Sequence, residues 1–121
     1  MIINTILAII MMVVTGFVDG QAFSLAPKIW LEGDHIAKWL MFAKTMLIFI
    51  LGLLTYIAYT YFMHKVGISN SLIIVLIWFV VTIISVALIS GSFFTLSLTD
   101  KLISISAIIL IGLLYYRGIA E

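Results

Sequence analysis

The sequence predicts an all-α integral membrane protein, a four-transmembrane-helix bundle forming a single membrane domain over residues 1–121. Hydrophobic residues make up 65% of the chain and charged residues only 9%, against about 25% charged in soluble domains. Mean hydropathy is +1.38. The run from Ser71 to Phe94 carries no charged residue. It is too long for a strand, since strands rarely exceed about ten residues, and at about 1.5 Å per residue it reaches across a hydrocarbon core of roughly 30 Å. Four such stretches, over about 2–27, 38–63, 71–94 and 99–117, leave short connections and no room for a soluble catalytic domain, so no enzyme activity is expected. The Ser71–Phe94 run is the segment around which the others are expected to gather.

The first stretch, IINTILAIIMMVVTGFV, lacks the charged start of a signal peptide, and a removable leader is not expected. It then meets Asp19, Gly20 and Gln21 before a weakly apolar course through Pro27 to Trp30. Two endings are open. If the helix stops near Gln21, Asp19 is a solvated boundary residue. If it continues toward Trp30, Asp19 lies within the bilayer, where ionisable side chains are costly and mark function.

LEGDH, Leu31 to His35, is the most polar segment and forms the first loop, flanked by Trp30 and Trp39 as an interfacial aromatic pair. Within the second stretch only Lys44 interrupts the apolar course. It either snorkels back to the interface or pairs with Asp19, which a hairpin turning near Gly33 places at similar depth. Ser69 and Asn70 supply cap chemistry for the third helix, and Thr99 or Asp100 for the fourth. Ala87 with Gly91 forms a small-residue step for close packing, and Ala107 and Gly112 are the packing or dimerisation positions of the last helix.

Counting Lys and Arg by side places Lys65 and Arg117 on one face of the membrane and Lys28, Lys38 and Lys101 on the other. So even a balance is compatible with one orientation or with both, and the second permits an antiparallel homodimer. The lipid bilayer is the evident partner, and no basic cluster suggests nucleic acid. No cofactor or metal is expected. Cysteine is absent, and His35 and His64 lie about 43 Å apart along a helix at roughly 1.5 Å per residue, too far to share a haem.

The polar and aromatic residues inside the spans are the candidate site. Trp78 lies deeper than an interfacial belt, so its indole N–H needs a partner or a cavity. Thr82 and Ser85 stand three apart on one helical face, either bonded to backbone or available to a ligand. Trp78, Phe93, Phe94, Leu98 and Gly112, with four short helices and balanced loop charge, give the chain a pattern over Ser69 to Tyr115 that resembles the small multidrug resistance family of the drug/metabolite transporter superfamily. The resemblance implies an antiparallel dimer, a shared cavity lined by helices one to three, and proton-coupled exchange of small molecules across a prokaryotic plasma membrane. It carries over Trp78 and Gly112 residue by residue. The family's membrane-embedded glutamate is absent between Ile2 and Val18, and Asp19 is the residue that can stand in for it. The expected substrate and ion site is therefore Asp19, Trp78, Lys44, Thr82 and Ser85. Two other functions are open: a non-transporting accessory membrane subunit, and a lipid-carrier flippase component.

Overall fold

The computed structural model describes the backbone of residues 2–120 and the side chains of residues 2–114, 116 and 117. Its elements are α1 (Ile2–Ile29), α2 (His35–Lys65), α3 (Ser71–Ser90), the short α4 (Ser92–Thr95) and α5 (Leu98–Ala120). The chain is all-helical, and α1, α2 and α3 are each long and apolar enough to cross a membrane.

Burial runs opposite to the pattern of a water-soluble domain. The buried polar side chains are Thr15, Asp19, Ser24, Thr45, Thr82 and Ser85, while Ile6, Leu40, Leu47, Leu54 and Leu88 are exposed. In lipid no hydrophobic force gathers large apolar side chains inward, so helices associate through small residues and scarce polar ones. α1 is the clearest case. Thr15, Gly16, Asp19, Gly20 and Ser24 are buried along it, whereas Val13, Val14 and Phe17 face outward.

α1, and not α3, is the centre of the bundle. It packs extensively against both α2 and α3, and the main contact of α5 is with α3. The apolar run of α3 is the most conspicuous in sequence, but close approach needs glycines, and α1 has them. A Cβ at Gly16 meets the Val81 side chain, and one at Gly20 falls 2.6 Å from Ser85 Cβ and 3.3 Å from the α3 backbone. Gly52 of α2 is pressed in the same way against the Asp19 carboxylate.

The structure decides between the two endings open for α1 and moves other helix boundaries. α1 does not stop near Gln21 but continues through Asp19 and takes in Pro27 before ending at Ile29. The ring of Pro27 costs only the bond to the turn before it, and the chain leaves the helix two residues later. The third helix ends at Ser90, not at Phe94, because Gly91 adopts φ +68, a left-handed conformation that closes the helix. Gly91 is thus a C-cap, and among the described residues nothing lies within 4 Å of a Cβ added there. Ala107 and Gly112 are exposed on α5, and among the described residues nothing lies within 4 Å of a Cβ added at Gly112. Asn70 caps α3 as expected, accepting from the N–H groups of Leu72 and Ile73 at 3.0 and 3.3 Å. At α5 the cap is Ser97, which accepts from Asp100 N–H at 3.2 Å, two residues before Thr99 and three before Asp100.

α2 and α3 meet through side chains beside α1. Tyr59 is fully buried and its hydroxyl donates to the Ile74 carbonyl of α3 at 3.1 Å. Met63, Ile74 and Ala8 close the small core around it. A neutral hydrogen bond of this kind contributes about 1 kcal/mol. Tyr59→Phe is therefore expected to lower stability by about 1 kcal/mol, read as an earlier midpoint in detergent-mixture unfolding, with the helix content unchanged.

Candidate functional site

Asp19 lies about 5 Å from the midpoint of α1, taking a rise of about 1.5 Å per residue. It is 6% exposed. The helix runs on past it because Thr15, Gly16, Gly20 and Ser24 allow α2 and α3 to close over this face. Ser24 adds nothing to the site itself, since its hydroxyl donates to the Gly20 carbonyl at 2.8 Å.

Two donors hold the carboxylate. The Trp78 indole N–H donates to Asp19 Oδ2 at 2.6 Å, linking α3 to α1. The Thr15 hydroxyl, one turn back on α1, lies 3.3 Å from the same oxygen and 3.4 Å from the Gly52 carbonyl. Its one hydrogen serves either acceptor, so Thr15 ties the carboxylate to α2. Asp19 Oδ1 lies against Gly52, where any side chain would collide with it. Among the described residues this oxygen accepts no hydrogen bond. A carboxylate offers about four lone-pair positions. Those on Oδ1 remain for a proton or a cation.

Rings surround the carboxylate on the cavity side. Asp19, Gly52, Phe23, Phe49, Tyr56 and Trp78 line a space of about 280 Å³. Phe23 and Phe49 meet edge to face at 5.2 Å, and Tyr56 and Trp78 at 5.8 Å. The edge-to-face geometry is the favourable one for aromatic pairs and fixes the wall of the cavity. A negative group at the base of an aromatic, low-dielectric pocket is suited to a monovalent cation or proton, because its attraction is weakly screened there and rings tolerate positive charge.

The structure joins two of the expected site residues and separates the others. Asp19 and Trp78, 59 positions apart, form one hydrogen-bonded pair. Lys44 does not join them. It is exposed on α2, and the carboxylate's donors are Trp78 and Thr15. The cross-helix pairs Asp19 with Gly52 and Phe23 with Phe49 put the hairpin pivot near His35 and not near Gly33. Lys44 consequently sits eight residues from the level of Asp19, about 12 Å along α2 at 1.5 Å per residue. Ser85 is spent on packing: it faces Gly20 and its hydroxyl donates to the Val81 carbonyl at 2.8 Å. Thr82 is buried, and its hydroxyl has no hydrogen-bond partner among the described residues.

Thr15, Gly52, Phe23, Phe49 and Tyr56 are site residues that sequence reasoning did not select. The spacing of Thr15 and Asp19, one helical turn apart, was the available signal, as was Gly16 with Gly20 beside them. The aromatic residues of α2 carried none, since a ring in a span is equally suited to lipid. Compared with family models, curated proteins and solved structures, the chain matches none of them.

Proposed function

We propose that this chain is a small membrane transporter of the drug/metabolite type that moves small molecules by alternating access as a homodimer, with Asp19 as its ion-coupling group. One observation carries the reading: a carboxylate buried near the middle of α1, held by Trp78 and Thr15 on one oxygen, with its other oxygen unbonded among the described residues at an aromatic cavity. Ionisable groups at this depth are expensive and are kept where an ion or proton passes. A purely docking subunit has no use for one.

On this reading α5 is the fourth span and the dimerisation helix. Its residues Leu102, Ile103, Ile109, Leu110, Leu113 and Leu114 are exposed, which suits either lipid or a second copy. Three helices around one cavity enclose too little to carry a substrate across, so a second copy completes the path. The even distribution of Lys and Arg favours insertion in both orientations in a prokaryotic plasma membrane.

The test is uptake by reconstituted protein. Proteoliposomes with an imposed pH difference are expected to accumulate a permeant organic cation such as tetraphenylphosphonium above the level of protein-free vesicles. Collapse of the gradient with a protonophore abolishes the excess. Uptake equal to that of empty vesicles across a panel of small cations and neutral amines sinks the transporter reading, and a stoichiometric protein partner recovered at the same time installs the accessory-subunit reading. Crosslinking to a lipid-linked substrate in place of cation uptake identifies a flippase component.

A further inference from the structure

Thr15 is fully buried on α1, one turn before Asp19. The buried hydroxyls of Ser24, Thr45 and Ser85 each donate to the carbonyl four residues back on their own helix. That of Thr15 does not. It lies 3.3 Å from Asp19 Oδ2 and 3.4 Å from the Gly52 carbonyl of α2, and it has one hydrogen to give.

With the two acceptors almost equally distant, charge decides between them. A hydrogen bond to an ionised carboxylate is about twice as strong as one between neutral groups, so an ionised Asp19 takes the hydroxyl. A proton on Oδ1, the oxygen that accepts no hydrogen bond among the described residues, removes that advantage. Oδ2 is then the carbonyl oxygen of an acid, already holding the Trp78 indole N–H at 2.6 Å. The Gly52 oxygen belongs to an amide, whose nitrogen feeds electron density into it and makes it the better neutral acceptor. It also accepts from the Thr55 hydroxyl at 2.9 Å, so a second hydroxyl arriving there changes the hydrogen bonding of α2 at Gly52.

We propose that Thr15 is the positioning residue that transmits the charge of Asp19 to α2: its hydroxyl donates to Asp19 while the carboxylate is ionised and to the Gly52 carbonyl once it is neutral. α1 is thereby tied to α2 at this level in the neutral state and released from it in the ionised state. The inference rests on Asp19 as the coupling group and gives that group an output, since a change of charge at one side chain becomes a change in which helices are bonded. Other titratable groups near Asp19 are few. α1 before Asp19 and the whole of α3 carry no charged residue. Lys28 lies nine residues beyond Asp19, Lys44 sits eight residues from its level on α2, and Tyr56 is the other titratable side chain in the cavity lining.

The test is NMR of the full chain in nanodiscs, with carbon-13 at the glycine carbonyls and nitrogen-15 in leucine and tryptophan. Gly–Leu steps occur at Gly52–Leu53 and Gly112–Leu113, so two carbonyl signals correlate with leucine N–H groups, and Gly112→Ala identifies the one from Gly52. Trp78→Phe identifies the Trp78 indole signal. Between alkaline and acidic buffer, the Trp78 and Gly52 signals of wild type are expected to move together. In Asp19→Asn neither moves. Thr15→Val replaces the hydroxyl by a methyl group of the same shape. Its Trp78 signal is expected to move still, which shows the site folded and titrating, while the movement of Gly52 is lost. Thr15→Ser restores it, and Tyr56→Phe leaves both movements in place. The proposal is overturned by a Gly52 signal that moves undiminished in Thr15→Val, by one that stays fixed in wild type while Trp78 moves, or by loss of the movement in Tyr56→Phe. A wild-type Trp78 signal that is fixed throughout removes Asp19 as a titrating group and sinks the coupling reading together with this inference.

Discussion

Asp19→Asn is expected to reduce gradient-driven uptake in proteoliposomes to the level of empty vesicles while the protein folds and purifies as wild type. Asparagine has nearly the shape of aspartate and keeps a side-chain oxygen to accept the Trp78 indole N–H, now 2.6 Å from Asp19 Oδ2. The clamp between α1 and α3 therefore survives. Lost with the carboxylate are its charge and its ability to take up and release a proton, and with them the coupling. Removing a charge from a buried site also lifts a desolvation cost, so the stability of the variant is expected to equal or exceed wild type. Trp78→Phe divides the same site differently. The ring remains in the wall, but the carboxylate loses a charge-assisted hydrogen bond of about 1.5–3 kcal/mol. Uptake is expected to fall by at least tenfold and still respond to the imposed gradient, because the titrating group is present but less firmly placed. Wild-type uptake in Asp19→Asn would remove this residue from the mechanism.

Gly20→Ala is expected to destabilise the bundle by about 1–3 kcal/mol, the usual cost of forcing an extra methyl group into a packed interface. The added Cβ falls 2.6 Å from Ser85 Cβ and 3.3 Å from two backbone atoms of α3, so neither neighbour has a flexible end to move aside. Helix propensity works the other way, since alanine is preferred to glycine within a helix by about 0.8–1.0 kcal/mol. The clash wins because α3 itself must shift, and with it Trp78. Gly112→Ala isolates the propensity effect, because nothing lies within 4 Å of a Cβ there, and it is expected to be neutral or stabilising by up to about 1 kcal/mol. Unfolding midpoints in mixed detergent read both. Equal midpoints for the two variants would mean that α1 and α3 are not in close contact at Gly20. Uptake should follow stability, with Gly20→Ala losing activity through displacement of Trp78 from Asp19.

The helical fold and the three strongest spans were legible in composition and run length. Two features turn on geometry that their own segments do not specify. Glycine four residues after alanine fits a helix interface, but Gly91 is also the easiest place to end a helix in the left-handed conformation, and there α3 ends. Lys44 lies within a turn of the level of Asp19 if the hairpin pivots near Gly33, which puts Leu47 opposite Asp19. A shift of the pivot by two or three residues moves the facing residue by about twice that, from Leu47 to Gly52, and leaves Lys44 eight residues away. Trp78 and Asp19 were each selected, one for its depth and the other for its charge. Nothing local in either segment indicates that they are bonded.

The sequence by itself determined that the chain is helical and membrane-embedded, because an uncharged run of apolar residues satisfies its backbone groups in lipid only by forming a helix. The tertiary structure decided which helix lies at the centre and which oxygen of Asp19 is held. The physical reason is that a membrane interior provides no hydrophobic gradient to rank one apolar face above another. Helix order and register are set by a few close glycine contacts and hydrogen bonds, at Gly16, Gly20, Gly52 and Trp78, whose partners lie far away in the chain.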